Sequence, residues 1–133
     1  MLVYALDADS PHHAASGPLL EAAREGSATL YVTSQILCEF YAVVTNARRV
    51  ANPRTPDDAA SAISDFLAFL HVLPVPAHVV DAWLKLLLRR SVIGGDIFDL
   101  QLIATMQANN LSRIYTFNIE DFEAFSELMA MTP

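Results

Sequence analysis

Three short stretches of this chain carry oxygen-bearing side chains at positions where a hard cation or a phosphate can use them. Glu39 stands in Ser34-Gln35-Ile36-Leu37-Cys38-Glu39-Phe40, and Asp99 in Phe98-Asp99-Leu100-Gln101-Leu102-Ile103-Ala104. Asn118 and Asp121 stand in Thr116-Phe117-Asn118-Ile119-Glu120-Asp121-Phe122. Carboxylate and amide oxygens are the donors that hard divalent cations take, and a cation so held can activate water for attack on a phosphodiester. Each position also has a structural reading. At about 100° per residue, Glu39 falls beside Ile36 and Val43 at the edge of an apolar stripe, where a glutamate can reach out to water. Asp99 falls among Leu102, Ile103 and Met106, a costly place for an ionised carboxylate unless it is paired or bound to metal. With Asp96 three residues earlier it also imitates a capping box at a helix start. Asn118 or Asp121 can ligate a cation or cap a short helix.

Other polar groups offer less. The adjacent His12 and His13 point about 100° apart on a helix, a poor arrangement for chelating one metal. Arg48-Arg49 and Arg89-Arg90 each end a helical segment, where positive charge suits the dipole. No GxGxxG, Walker loop, GxSxG or HExxH occurs, so those nucleotide-binding, hydrolase and zinc-protease signatures fail. The lone Cys38 excludes an intrachain disulfide and a cysteine-rich zinc site; it reads as a small buried hydrophobe in a reducing compartment.

The elements that position these groups follow from patterning. With 133 residues, 53% hydrophobic and 17% charged, the chain suits one domain over residues 1–133 and excludes disorder. A net charge of −7 argues against nucleic-acid binding by bulk positive charge. No apolar run approaches the roughly 18 residues of a membrane span, and no leader peptide is visible. The expectation is a cytoplasmic protein with no membrane association.

Leu2–Leu6 reads as strand or helix, since periodicity cannot decide at this length. Helices are expected over Pro11–Glu25, stopped by Gly26, over Gln35–Arg48, capped by Ser34, and from Pro56 to Leu70, capped by Thr55. Two more are expected over Ala77–Arg90 and Ile97–Ala108, the latter capped by Asp96, and a short one over Ile119–Glu127. Strands are expected over Leu30–Thr33, Val72–Val75, Arg113–Phe117 and Leu128–Met131. Strands that alternate with helices, with no hairpin signal, imply parallel pairing in one sheet with helices on both faces. Sites in such folds form beyond the carboxyl ends of the strands, where Glu39, Asp99, Asn118 and Asp121 fall.

Taken with Leu2-Val3-Tyr4-Ala5 near the start, the three stretches quoted above resemble, in order and spacing, the PIN-domain family, in particular the VapC-like type II toxin ribonucleases. The resemblance covers nearly the whole chain. It implies a three-layer α/β/α fold around a parallel sheet and an RNA-cleaving enzyme that uses Mg²⁺ or Mn²⁺ and metal-activated water. Carried over by position, Glu39, Asp99 and Asp121 are the metal ligands, and Asn118 joins them in the catalytic set. Ser34 and Thr116 are candidate positioners of substrate. A cognate antitoxin protein is the implied partner, and relatives that self-associate extend the expectation to a homodimer.

The family begins with a central strand ending in an aspartate, usually within Asp-x-Asn. This chain starts just after that point, and Asp7, at the far end of the following segment, does not replace it. Two explanations compete: Met1 is an internal methionine of a longer protein, or the chain is a catalytically degenerate interaction module that binds a protein partner without cleaving RNA. On ligand count, the 133-residue form is expected to bind Mg²⁺ or Mn²⁺ weakly and to cleave RNA poorly beside a form extended upstream by that strand.

Overall fold

The computed structural model describes residues 1–123 and 125–133, and divides into two compact units, Met1–Val72 with Pro133, and Leu73–Thr132. In the first unit, the apolar run at the start closes into one helical turn, α1 (Leu2–Ala5), and α2 spans His13–Arg24. Ser10 Oγ accepts the His12 N–H at 3.2 Å, so this hydroxyl serves the turn before the helix and α2 begins two residues beyond Pro11. Gly26, at φ 77°, ends α2: the Gly26 N–H donates to Ala23 O and the Ser27 N–H to Ala22 O, a Schellman motif that needs a residue tolerant of positive φ.

Strand β1 (Tyr31–Val32) leads directly into α3 (Ser34–Val44). The cap of α3 is Thr33 and not Ser34: Thr33 is extended at φ −100°, ψ 157°, and its hydroxyl accepts the Ile36 N–H at 3.3 Å. The helix stops at Val44, short of the expected Arg48, because Asn46 offers the backbone another partner; its Oδ1 accepts the Arg48 N–H at 2.9 Å. Leu37, Phe40 and Val44 form the buried face of α3, with Ile36 at its margin, while Cys38 is exposed rather than buried. Thr55 caps α4 (Pro56–Leu67) by accepting the Asp58 N–H.

Strand β2 is only His71–Val72, since Pro74 lacks the donor a ladder needs. It pairs in parallel with β1, Tyr31 opposite His71 and Val32 opposite Val72. The core of this unit gathers Leu2, Leu20, Val32, Phe40 and Leu70, with Phe40 edge-on to Phe66 at 5.3 Å.

In the second unit α5 (Val79–Arg89) and α6 (Ile97–Ala108) pack along one another, joined through a 3₁₀ turn at Gly94–Asp96. Helix α6 buries Leu100, Ile103, Ala104, Thr105 and Met106, more than one stripe, as expected of a helix covered on most sides. The buried Thr105 hydroxyl donates to Gln101 O at 2.8 Å. Asn110, at φ 56°, closes α6 with Asn110 N–H to Gln107 O and Leu111 N–H to Met106 O, a second Schellman motif.

Strand β3 (Arg113–Tyr115) and strand β4 (Met129–Met131) pair in parallel, Ile114 opposite Ala130. Between them, α7 covers Glu120–Glu123; the part of the expected 119–127 helix at residue 124 lies outside the described residues. Parallel α/β organisation is therefore as expected. Hydrogen bonds join the described strands in parallel pairs, β1 with β2 and β3 with β4.

Candidate active site

The geometry begins where α5 ends. Arg90 is its C-cap, with an extended backbone at φ −142°, ψ 111°, so the chain leaves the helix sharply. Gly94 then takes φ 61°, a conformation that L side chains resist, and the 3₁₀ turn brings the chain back into α6. The two aspartates at the start of α6 arise from this reversal. Asp96 occupies the cap position, yet its side chain makes no capping hydrogen bond; Asp99 lies in the first turn, where the positive end of the helix dipole favours a carboxylate.

A second local device supplies Asp121. After β3, the Asn118 N–H donates to Thr116 Oγ1 at 3.0 Å and the Asp121 N–H donates to Asn118 O at 3.3 Å. This turn starts α7, and burial of Phe122 and Phe125 anchors it to the core of the unit. The result is a cleft of about 30 Å³ lined by Asp96, Asp99, Asp121, Arg90, Leu100 and Phe125. A space of that size exceeds the roughly 10–15 Å³ that a single water needs. Asp99 is half-buried on it, while Asp96 and Asp121 are exposed. Arg90 lays its guanidinium over the Phe125 ring, 5.8 Å from the centroid.

Asp99 and Asp121, distant in sequence, thus share one cleft. Thr116 and Asn118 build the turn that leads to Asp121 and do not line the cleft themselves. Glu39 and Ser34 belong to the first unit: both are exposed on α3, and Glu39 Oε1 accepts from Gln35 Nε2 at 2.8 Å. Sequence reasoning did not place Asp96, Arg90 and Phe125 at a site. The first two were read by their helix-terminal roles. Their signal was the short Gly-Gly reversal between α5 and α6, which folds Arg90 back toward the start of the next helix.

The donors suit a hard cation by chemistry. Mg²⁺ keeps several waters and is commonly held by one or two carboxylates, which is what Asp99 and Asp121 offer across the cleft. Among the described residues, no three His, Cys, Asp or Glu side chains gather as a preformed metal cluster.

A chain with this parallel α/β fold has a family. The chain matches the PIN domain over residues 1–128 and belongs to that family. Among curated proteins it is similar to VapC ribonuclease Mb2897 of Mycobacterium bovis, 34% identical over 113 residues, covering 83% of this chain and 76% of the relative. Ribonuclease VapC43 of Mycobacterium tuberculosis matches with the same identity and coverage. Among solved structures, the crystal structure of VapBC2 from Rickettsia felis bound to a DNA fragment from their promoter superposes with a TM-score of 0.68. That match is 21% identical and covers 98% of this chain and 92% of that one. The likeness establishes the PIN-type α/β/α fold. No described helix is long and apolar enough to cross a membrane.

Proposed function

We propose that this protein is a toxin-type ribonuclease that cleaves RNA phosphodiester bonds with the help of Mg²⁺ or Mn²⁺. The convergence of Asp99 and Asp121 on one cleft carries the reading, and the 34% identity to ribonucleases over most of the chain supports the substrate class. Asp99 and Asp121 would hold the cation through carboxylate oxygens, and the positive end of the α6 dipole favours a carboxylate at Asp99. Asn118 and Thr116 fix the turn that aims Asp121. Glu39, on α3, is assigned by family position as a further ligand, and Ser34, at the start of the same helix, as a substrate contact. A bound cation would supply activated water and a counter-charge for the developing oxyanion. The domain spans the whole chain in this reading, acts in the cytoplasm, and is held in check by an antitoxin whose arginine or lysine meets the acidic cleft. Pairing into a homodimer belongs to the same proposal.

A labelled single-stranded RNA incubated with the protein and Mn²⁺, with and without EDTA, tests the activity. Cleavage that appears with Mn²⁺ and stops with EDTA is the expected result; cleavage indifferent to EDTA overturns the metal chemistry. A second reading, a module that binds its partner without cutting, is favoured by the lack of a preformed three-residue cluster among the described residues. It predicts antitoxin binding with no cleavage at any Mn²⁺ concentration.

A further inference from the structure

We propose that Arg90 grips a phosphate of the RNA at the carboxylate cleft and is a substrate-positioning residue of this enzyme. The inference rests on the ribonuclease reading and adds to it the contact that recognises the polyanion. Arg89 and Arg90 are neighbours at the end of α5, and the fold gives them opposite fates. Arg89 pairs with Glu127, Nη1 to Oε1 at 3.4 Å. Arg90, turned out by its extended C-cap backbone, reaches the cleft and stacks on Phe125. It pairs with no carboxylate among the described residues, although Asp96, Asp99 and Asp121 line the same cleft.

Three physical points turn that placement into a role. A cleft lined by three carboxylates repels a phosphodiester, and Arg90 is the one cation among its lining residues. A guanidinium presents a planar fork of donors that matches two oxygens of a phosphate, which an ammonium does not. Stacking on Phe125 orders the side chain beforehand, so less rotamer freedom is lost when the phosphate arrives.

The test compares wild type with Arg90→Gln, Arg90→Lys and Arg89→Gln. Arg90→Gln keeps most of the stem, and circular dichroism checks that each variant folds. Binding of a fluorescein-labelled single-stranded RNA is read by anisotropy with Ca²⁺, alongside cleavage with Mn²⁺. Arg90→Gln is expected to weaken RNA binding roughly tenfold and to flatten the salt dependence by somewhat under one unit of log–log slope. Arg90→Lys should recover part of the loss, and Arg89→Gln should bind like wild type. RNA binding unchanged in Arg90→Gln, lost equally in Arg89→Gln, or undetectable in wild type overturns the proposal. Arg90-dependent RNA binding with no cleavage in any form leaves Arg90 as the phosphate contact and overturns the ribonuclease reading instead.

Discussion

Replacing Asp99 by asparagine keeps its size and its place on α6 while removing the charge that a cation needs. Asp99→Asn and Asp121→Asn are each expected to lower Mn²⁺-dependent RNA cleavage by roughly a hundredfold or more, the scale of losing one preorganised electrostatic partner. Their melting temperatures should stay close to wild type, since both residues line a solvent-reaching cleft. Glu39→Gln tests the family-based assignment separately; full activity in that variant would remove Glu39 from the ligand set. At this scale the sequence was informative about residue type. The cost of an ionised Asp99 on a helix face crowded with Leu102, Ile103 and Met106 already marked it as needing a partner. It could not say that Asp96 and Arg90 belong with it, because each had a sufficient local role at a helix end.

Helix starts carry the positioning. Thr33 caps α3 and is almost wholly buried, whereas Ser34 is exposed and already helical. Thr33→Ala should therefore cost about 1 kcal/mol of stability, and Ser34→Ala less than about 0.5 kcal/mol, measured by urea denaturation. Equal effects would return the cap to Ser34. The Gly-Gly reversal before α6 allows a sharper contrast. A Cβ at either Gly94 or Gly95 would meet open space, but only Gly94 has positive φ. Gly94→Ala is expected to cost about 1–2 kcal/mol through backbone strain alone. Gly95→Ala should change stability by less than about 0.5 kcal/mol or raise it slightly. Because the reversal delivers Arg90 and Asp96 to the cleft, Gly94→Ala should also lower cleavage where Gly95→Ala does not.

Across the whole chain, burial separates residues that stabilise from those that face water. Ile103 is 0% exposed within the core of the second unit, while Leu88 on α5 is 89% exposed. Ile103→Ala should cost about 2–5 kcal/mol by transfer and cavity terms, a large share of the roughly 5–15 kcal/mol that holds a typical domain folded. Leu88→Ala should stay within about 0.5 kcal/mol. Thermal or urea unfolding of the two variants distinguishes them, and comparable losses would mean that Leu88 is covered in solution.

The sequence alone determined what depends on near neighbours. The helix expected over Ile97–Ala108 matches α6 to the residue, although Asp96 makes no capping hydrogen bond, and Thr55 with Pro56 marked the start of α4. Alternating strands and helices implied parallel pairing, which both strand pairs obey. Local competition was harder to read: Thr33 and Ser34 are chemically similar caps, and only the extended backbone at Thr33 decides between them. Tertiary structure decided what depends on distant segments meeting. That Asp99 and Asp121 share a cleft follows from α7 being pinned by Phe122 and Phe125 against the core that holds α6. That Arg90 faces this cleft while Arg89 turns to Glu127 follows from the path of the chain after α5. Periodicity and capping act over one or two helical turns, so they cannot report a side chain's neighbours across a loop.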